Sequence, residues 1–249
     1  MADYATVNGL KMYYEVHGEG RPVVLLHGGV LTLELSFGPM LPQLATGRQV
    51  IGVELQGHGH TADIDREVTL GGLAGDVVAL LDELGLERAD LFGFSLGGLV
   101  ALELATAHPG RVDRLVLAST HYRPDGYHAD IHDPALQAAS TRMPTEADFA
   151  EMFQAYQRVA PEPERFDSFK AKVSEAVARL EGWSADQLRA VTAPTLLIVG
   201  DNDFVRLEHA IEMAGLIPDA QLAVLPGTTH SNVLRRTGLV LPMVESFLR

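Results

Sequence analysis

The sequence predicts an α/β protein: an eight-stranded, mostly parallel sheet flanked by helices, with a helical segment inserted before the penultimate strand. Three observations predict it. Short apolar runs recur along the chain, amphipathic helical patterns lie between them, and one long stretch carries helical text without any strand-like run. The 249 residues, 47% of them hydrophobic, suffice for a sizeable core and exclude a disordered chain.

The elements follow in order. Tyr4 to Val7 and Leu10 to Val16 flank Asn8-Gly9, a pair suited to the two positive-φ positions of a tight hairpin turn. A glycine-rich loop, His17 to Gly20, leads into Pro22–Leu26, apolar on both faces as a buried parallel strand should be. Similar runs recur at Val50–Leu55, Ala89–Gly93, Val112–Ala118, Thr195–Val199 and Gln221–Leu225. Leu73, Val77, Leu80, Leu81 and Leu84 share one helical stripe that Gly85 closes. Further helices are predicted over Leu96–Ala107, Arg206–Leu216 and Val240–Leu248. Residues 121–191 break the rhythm, with prolines at 124, 134, 144, 161 and 163 and amphipathic text over Thr145–Val159 and Arg165–Leu180. That insertion is too long for a crossover loop and reads as a helical lid over a core of residues 1–120 and 192–249.

Charge and cysteine usage narrow the chemistry. A net charge of −14 repels phosphate backbones and anionic lipid, so neither nucleic acid nor membrane is the expected partner. The N-terminus shows no basic segment followed by an apolar one, and no apolar run has the length of a spanning helix; a cytoplasmic location is the expectation. With no cysteine there is no disulfide framework, no thiolate metal site and no thiol nucleophile.

Leu91-Phe92-Gly93-Phe94-Ser95-Leu96-Gly97-Gly98 carries G-x-S-x-G spacing between a predicted strand and a predicted helix. Glycines at 93 and 97 remove Cβ atoms that would collide across so sharp a turn, which holds Ser95 at the carboxyl edge of the sheet. The plain alternative for Ser95 is a helix cap. A serine nucleophile needs a base, and the base an orienting acid. Asp201-Asn202-Asp203 follows the strand ending at Gly200, and His230 follows the last strand, which completes the chain order Ser…Asp…His. Either aspartate could be the acid, the other capping the turn. A tetrahedral intermediate further needs two N–H donors. Leu96 is expected to supply one; His27-Gly28-Gly29-Val30 supplies the other, Gly29 before Val30.

These pieces together resemble the α/β-hydrolase superfamily along essentially the whole chain, with the hairpin, His27-Gly28-Gly29, Gln56-Gly57-His58-Gly59 and the Ser95 turn in family order. Within it the chain is similar to small bacterial serine esterases and lactone hydrolases, faintly to those acting on zearalenone, and to cofactor-free haloperoxidases. The resemblance implies Ser95 as nucleophile, Asp203 as acid and His230 as base, with no metal and no organic cofactor. It implies hydrolysis of a carboxylic ester or lactone through an acyl-enzyme; the net charge of −14 suggests a neutral rather than an anionic small-molecule substrate, and the lid is expected to shape an apolar pocket for it. C–C bond hydrolysis and acyl transfer would use the same triad, peroxide chemistry would be a side activity, and a receptor-like ligand-binding fold is the non-enzyme alternative. A homo-oligomer is left open.

Other side chains receive weaker expectations. Trp183, the single tryptophan, and Phe153 are expected at the pocket wall with Val30, although lid core would explain them equally. His58 and His60 read as turn residues rather than metal ligands, and His27 as a support of the oxyanion loop. The His121, His128 and His132 cluster suits an exposed lid entrance, with a metal or interface role as the alternative.

Overall fold

In the computed structural model, which describes residues 1–249, the strands are β1 (Ala2–Val7), β2 (Leu10–His17), β3 (Arg21–Leu26), β4 (Arg48–Val53), β5 (Ala89–Phe94), β6 (Val112–Ala118), β7 (Thr195–Asn202) and β8 (Ala220–Thr229). They form one sheet in the order β1-β2-β4-β3-β5-β6-β7-β8. The hairpin β1–β2 and the β2–β4 pair are antiparallel, and every other pair is parallel. Asn8 and Gly9 both take positive φ at the hairpin turn, as an Asn-Gly pair is predisposed to do.

The helices are α1 (Leu33–Phe37), α2 (Leu41–Leu44), α3 (Leu70–Glu83), α4 (Leu96–Ala107), α5 (Ala129–His132), α6 (Pro134–Gln137), α7 (Glu146–Val159), α8 (Phe166–Ala178), α9 (Ala185–Arg189), α10 (Leu207–Leu216) and α11 (Thr237–Phe247). None is long and apolar enough to cross a membrane. All six residues of β5 are buried, the consequence of helices covering both faces of the sheet. One core layer joins α3 and α4 to the sheet, and a second packs β3, β5 and β6 against α1 and α11.

Residues between β6 and β7 are helical throughout their regular elements. Their Tyr156, Phe166, Phe169, Val173 and Trp183 belong to the same apolar cluster as Leu96 and Leu99 of α4. The insertion therefore shares its core with the sheet domain and has none of its own.

Differences from the sequence expectation lie at element ends. The apolar run at Val50–Leu55 enters the sheet only as far as Val53, because the Leu55 N–H turns away to His27 Nε2 at 3.1 Å. β7 and β8 run on past their apolar cores to Asn202 and Thr229, across a register shift between Gly200 and Asn202. Helices α1 and α2 are too short to show a helical period in sequence.

Candidate active site

Ser95 sits at φ 52° and ψ −116°, between the end of β5 and the first turn of α4. A β-carbon is rarely tolerated there, and the strain is held by the packing of both glycines. A Cβ on Gly93 would stand 2.3 Å from the Gly97 carbonyl oxygen, and one on Gly97 2.0 Å from the carbonyl oxygen of Leu26. Strand, turn and helix thus meet backbone against backbone, and the serine hydroxyl is driven outward over the sheet's carboxyl edge.

There the hydroxyl meets His230 Nε2 at 3.0 Å, and His230 Nδ1 lies 2.8 Å from Asp203 Oδ1. These side chains come from three separate loops, 135 residues apart in the widest case. Phe204 stacks flat on the imidazole, centroids 4.0 Å apart, which fixes the ring plane. Asp203 is buried; burial pushes its pKa up, but the facing imidazole, the Ser119 hydroxyl and the Gly200 N–H together hold it below the ordinary aspartate range. Asp201 is exposed and receives the Gly227 and Thr228 N–H groups at 2.9 Å each, which ties down the end of β8 instead.

Ser119 has no sequence motif to announce it. It is fully buried at φ 52° just past β6 and donates to Asp203 Oδ2 at 2.5 Å. Only the juxtaposition of β6 and β7 makes it a neighbour of the acid.

Of the loop amides after β3, Val30 N–H is engaged by His58 Nε2 at 3.0 Å. Gly29 N–H and Leu96 N–H find no acceptor in the protein, and both residues line the cavity that opens over Ser95. His27 is fully buried, donating from Nδ1 to Gly28 O at 2.8 Å while accepting Leu55 N–H. With the ring nitrogens of His58 also both engaged, neither imidazole has a lone pair for a metal. No three His, Cys, Asp or Glu side chains anywhere in the chain are grouped to hold one.

The cavity measures about 300 Å³ and is walled by Leu31, Leu35, Phe94 and Leu99 from the core and by Phe149, Met152, Phe166 and Val177 from the insertion. Val30 borders it, as expected from sequence. Trp183 does not: it is buried elsewhere, its indole N–H donating to Glu103 of α4 at 3.0 Å, so the insertion's return to the core turns the ring away from Ser95. Phe153 also stands outside the cavity, 45% exposed and edge-on to Phe166, while α7 borders the cavity with Phe149 and Met152 instead. Tyr127, by contrast, went unnoticed in sequence and lines the cavity with its hydroxyl beside Ser95. Its backbone bridges to Val205, and His128 N–H donates to Phe204 O, so the start of the insertion is tied to the loop bearing Asp203.

His121 is buried against the Tyr127 ring rather than exposed at an entrance, and His132 stacks on the same ring at 5.6 Å. Burial pulls the pKa of His121 down to about 3 and that of His209 to about 4, and it depresses His27 and His58 as well. The unfolded chain takes up these protons below about pH 6.5 while the folded chain does not. Stability is therefore complete above that pH and lost as pH falls toward the folded values. Each such group contributes a slope of about 1.4 kcal/mol per pH unit. Urea unfolding is expected to show a clear loss of stability between about pH 6 and pH 5 that His209→Gln makes shallower; equal stability at both values would refute it.

The family model described as the alpha/beta hydrolase fold matches residues 21–237, and the chain belongs to that family of enzymes. It is 32% identical, over 96% of both sequences, to RutD of Variovorax paradoxus (strain S110), which carries the name of a carbamate hydrolase. It is 29% identical, over 90% of both, to a non-heme haloperoxidase of Rhodococcus erythropolis. The enol-lactonase from Burkholderia xenovorans LB400 superposes with a TM-score of 0.75 over 98% of this chain and 99% of that one, at 24% identity, a likeness of fold.

Proposed function

We propose that the protein is a serine hydrolase that cleaves a carboxylic ester or lactone of a neutral, apolar small molecule through an acyl-enzyme. The observation that carries this reading is the hydrogen-bonded line from Asp203 through His230 to Ser95, which ends in an apolar cavity. His230 removes the Ser95 proton as the hydroxyl attacks the substrate carbonyl, and Asp203 holds the imidazole in the tautomer this needs. Gly29 and Leu96 N–H receive the oxyanion. His230 then protonates the departing alkoxide. A water deprotonated by His230 attacks the acyl carbon next, and collapse of that second adduct regenerates Ser95 and releases the acid.

The cavity's charge supports a neutral substrate. Arg235 at its rim is paired with Glu151 at 2.6 Å and Asp148 at 3.7 Å, and Lys170 is about half exposed beside Asp167. No unpaired cation stands in the apolar interior to receive a carboxylate, whose desolvation would then go uncompensated. The insertion supplies the wall facing Ser95 and so acts as the selecting lid.

A hydrolysis screen tests the proposal: aryl esters of graded acyl length, small and macrocyclic lactones, and an aryl carbamate, the last prompted by the Variovorax relative. Turnover is expected on neutral esters or lactones. Acids carrying a free carboxylate near the scissile bond are expected to react at least about tenfold more slowly, the worth of ~1.4 kcal/mol. Background rates on every ester, lactone and carbamate would overturn the reading.

A further inference from the structure

His58 lies in a glycine-rich turn, Gln56 to Gly59, that the triad does not use. Its ring is 1% exposed and its Nε2 accepts the Val30 N–H at 3.0 Å. Because Nε2 accepts, Nδ1 must carry the proton, which it donates to the Gln56 carbonyl at 3.0 Å. Burial keeps the imidazole neutral, with its pKa well below the usual histidine range. Helix α8 closes over this turn. Phe169 stands edge-on to the His58 ring at 4.7 Å, and a Cβ on Gly57 would lie 2.2 Å from Phe169 Cε2.

The partner of that bond is unusual. Val30 has φ 62°, a left-handed conformation that a β-branched residue adopts only when its surroundings impose it. The neighbouring Gly29 N–H is left without an acceptor, and its Cα faces Leu96 and Val173 over the cavity. One amide of the loop is thus spent on His58 while the next is kept open.

We propose that His58 is a positioning residue for the oxyanion loop: by accepting the Val30 N–H it holds Val30 left-handed and presents the Gly29 N–H to the substrate oxygen. The role requires a hydrogen-bond acceptor at the Nε2 position and not merely a side chain that fills the space. It rests on the reading of Gly29 and Leu96 as the oxyanion donors.

The test compares His58→Leu, which fills space without an acceptor, with His58→Gln, whose amide oxygen reaches the same position. A full oxyanion donor is worth about 10²–10³ in kcat, so a misplaced one in His58→Leu should cost roughly 10- to 100-fold, with KM little changed. The loss should be markedly smaller on the matching thionoester, whose sulfur accepts hydrogen bonds poorly, and His58→Gln should recover most of it. In the unaltered protein, nitrogen NMR of the histidine rings should show His58 as the Nδ1–H tautomer throughout the range in which it is folded.

An equal loss in both variants, equal on ester and thionoester, would reduce His58 to packing and overturn the proposal. An Nε2–H tautomer would do the same without any variant having to fold. Absence of turnover in the unaltered protein would instead sink the hydrolase reading, while the tautomer would still judge the His58–Val30 bond.

Discussion

Ser95→Ala is expected to lower kcat/KM on the best ester or lactone by about 10⁴- to 10⁶-fold, the range seen when a triad nucleophile is removed. The fold should be indifferent to it. Although Ser95 occupies the position before α4, its side chain makes no capping hydrogen bond, so the hydroxyl carries none of the helix's stability. The hydroxyl meets His230, which remains tied to Asp203 and stacked on Phe204 without it. Alanine keeps the Cβ, and the turn geometry is imposed from the glycines on either side. The variant should therefore melt within a degree or two of the parent, since surface-type changes stay within about 0.5 kcal/mol. A fluorophosphonate should label the parent once, on the Ser95 peptide, and leave the variant unlabelled. Retained turnover in Ser95→Ala would show that another group attacks.

Gly97→Ala is expected to have the largest effect on stability. The added methyl would lie 2.0 Å from the Leu26 carbonyl oxygen, 2.4 Å from its carbonyl carbon and 2.6 Å from the His27 carbonyl oxygen. All three are backbone atoms at the end of β3 and of the residue that follows it, and none can rotate aside as a side chain would. Either α4 lifts from the sheet or the end of β3 moves, and both are packed on buried residues of the core. Overpacking of this kind costs about 3 kcal/mol or more. For a chain of this size that lowers Tm by roughly 10 °C, with loss of soluble yield if the margin is small. Whatever folds should also be inactive, because the Leu96 and Gly29 amides diverge when helix and loop separate. Gly215→Ala is a matched control: nothing stands within 4 Å of its Cβ, so it should be neutral or slightly stabilising. Unchanged melting of Gly97→Ala would contradict the close contact.

Much of this architecture is legible in the amino-acid sequence. The apolar runs mark six parallel strands because strands buried on both faces must be apolar throughout, and Asn8-Gly9 marks the hairpin because few residues accept positive φ. Ser95 was legible for the same reason: glycines spaced around a serine between strand and helix serve a backbone contact. Asp203 and His230 were legible as positions after consecutive strands, though spacing alone could not separate Asp203 from Asp201.

What could not be read is contact between distant segments. Trp183 and Phe153 are expected at the pocket on size and apolarity, yet an indole hydrogen bond to Glu103 holds the first elsewhere and the second stays half exposed against Phe166. Tyr127 and Ser119 carry no local signal, and the Gln56–Gly59 motif marks His58 only as a turn residue, without its partner. Tyr127 reaches Ser95 through a bridge to Val205, Ser119 meets Asp203 because β6 adjoins β7, and His58 meets Val30 across the β3 and β4 loops.

The amino-acid sequence by itself determined the sheet, the Ser95 turn and the chain order of Ser95, Asp203 and His230, because these depend on backbone conformation and on burial patterns local to each element. Only the tertiary structure decided which amide of the Gly29-Val30 loop stays free, which aspartate faces His230 and which side chains wall the cavity. Those depend on distances between elements far apart in the chain, which periodicity and turn chemistry do not encode.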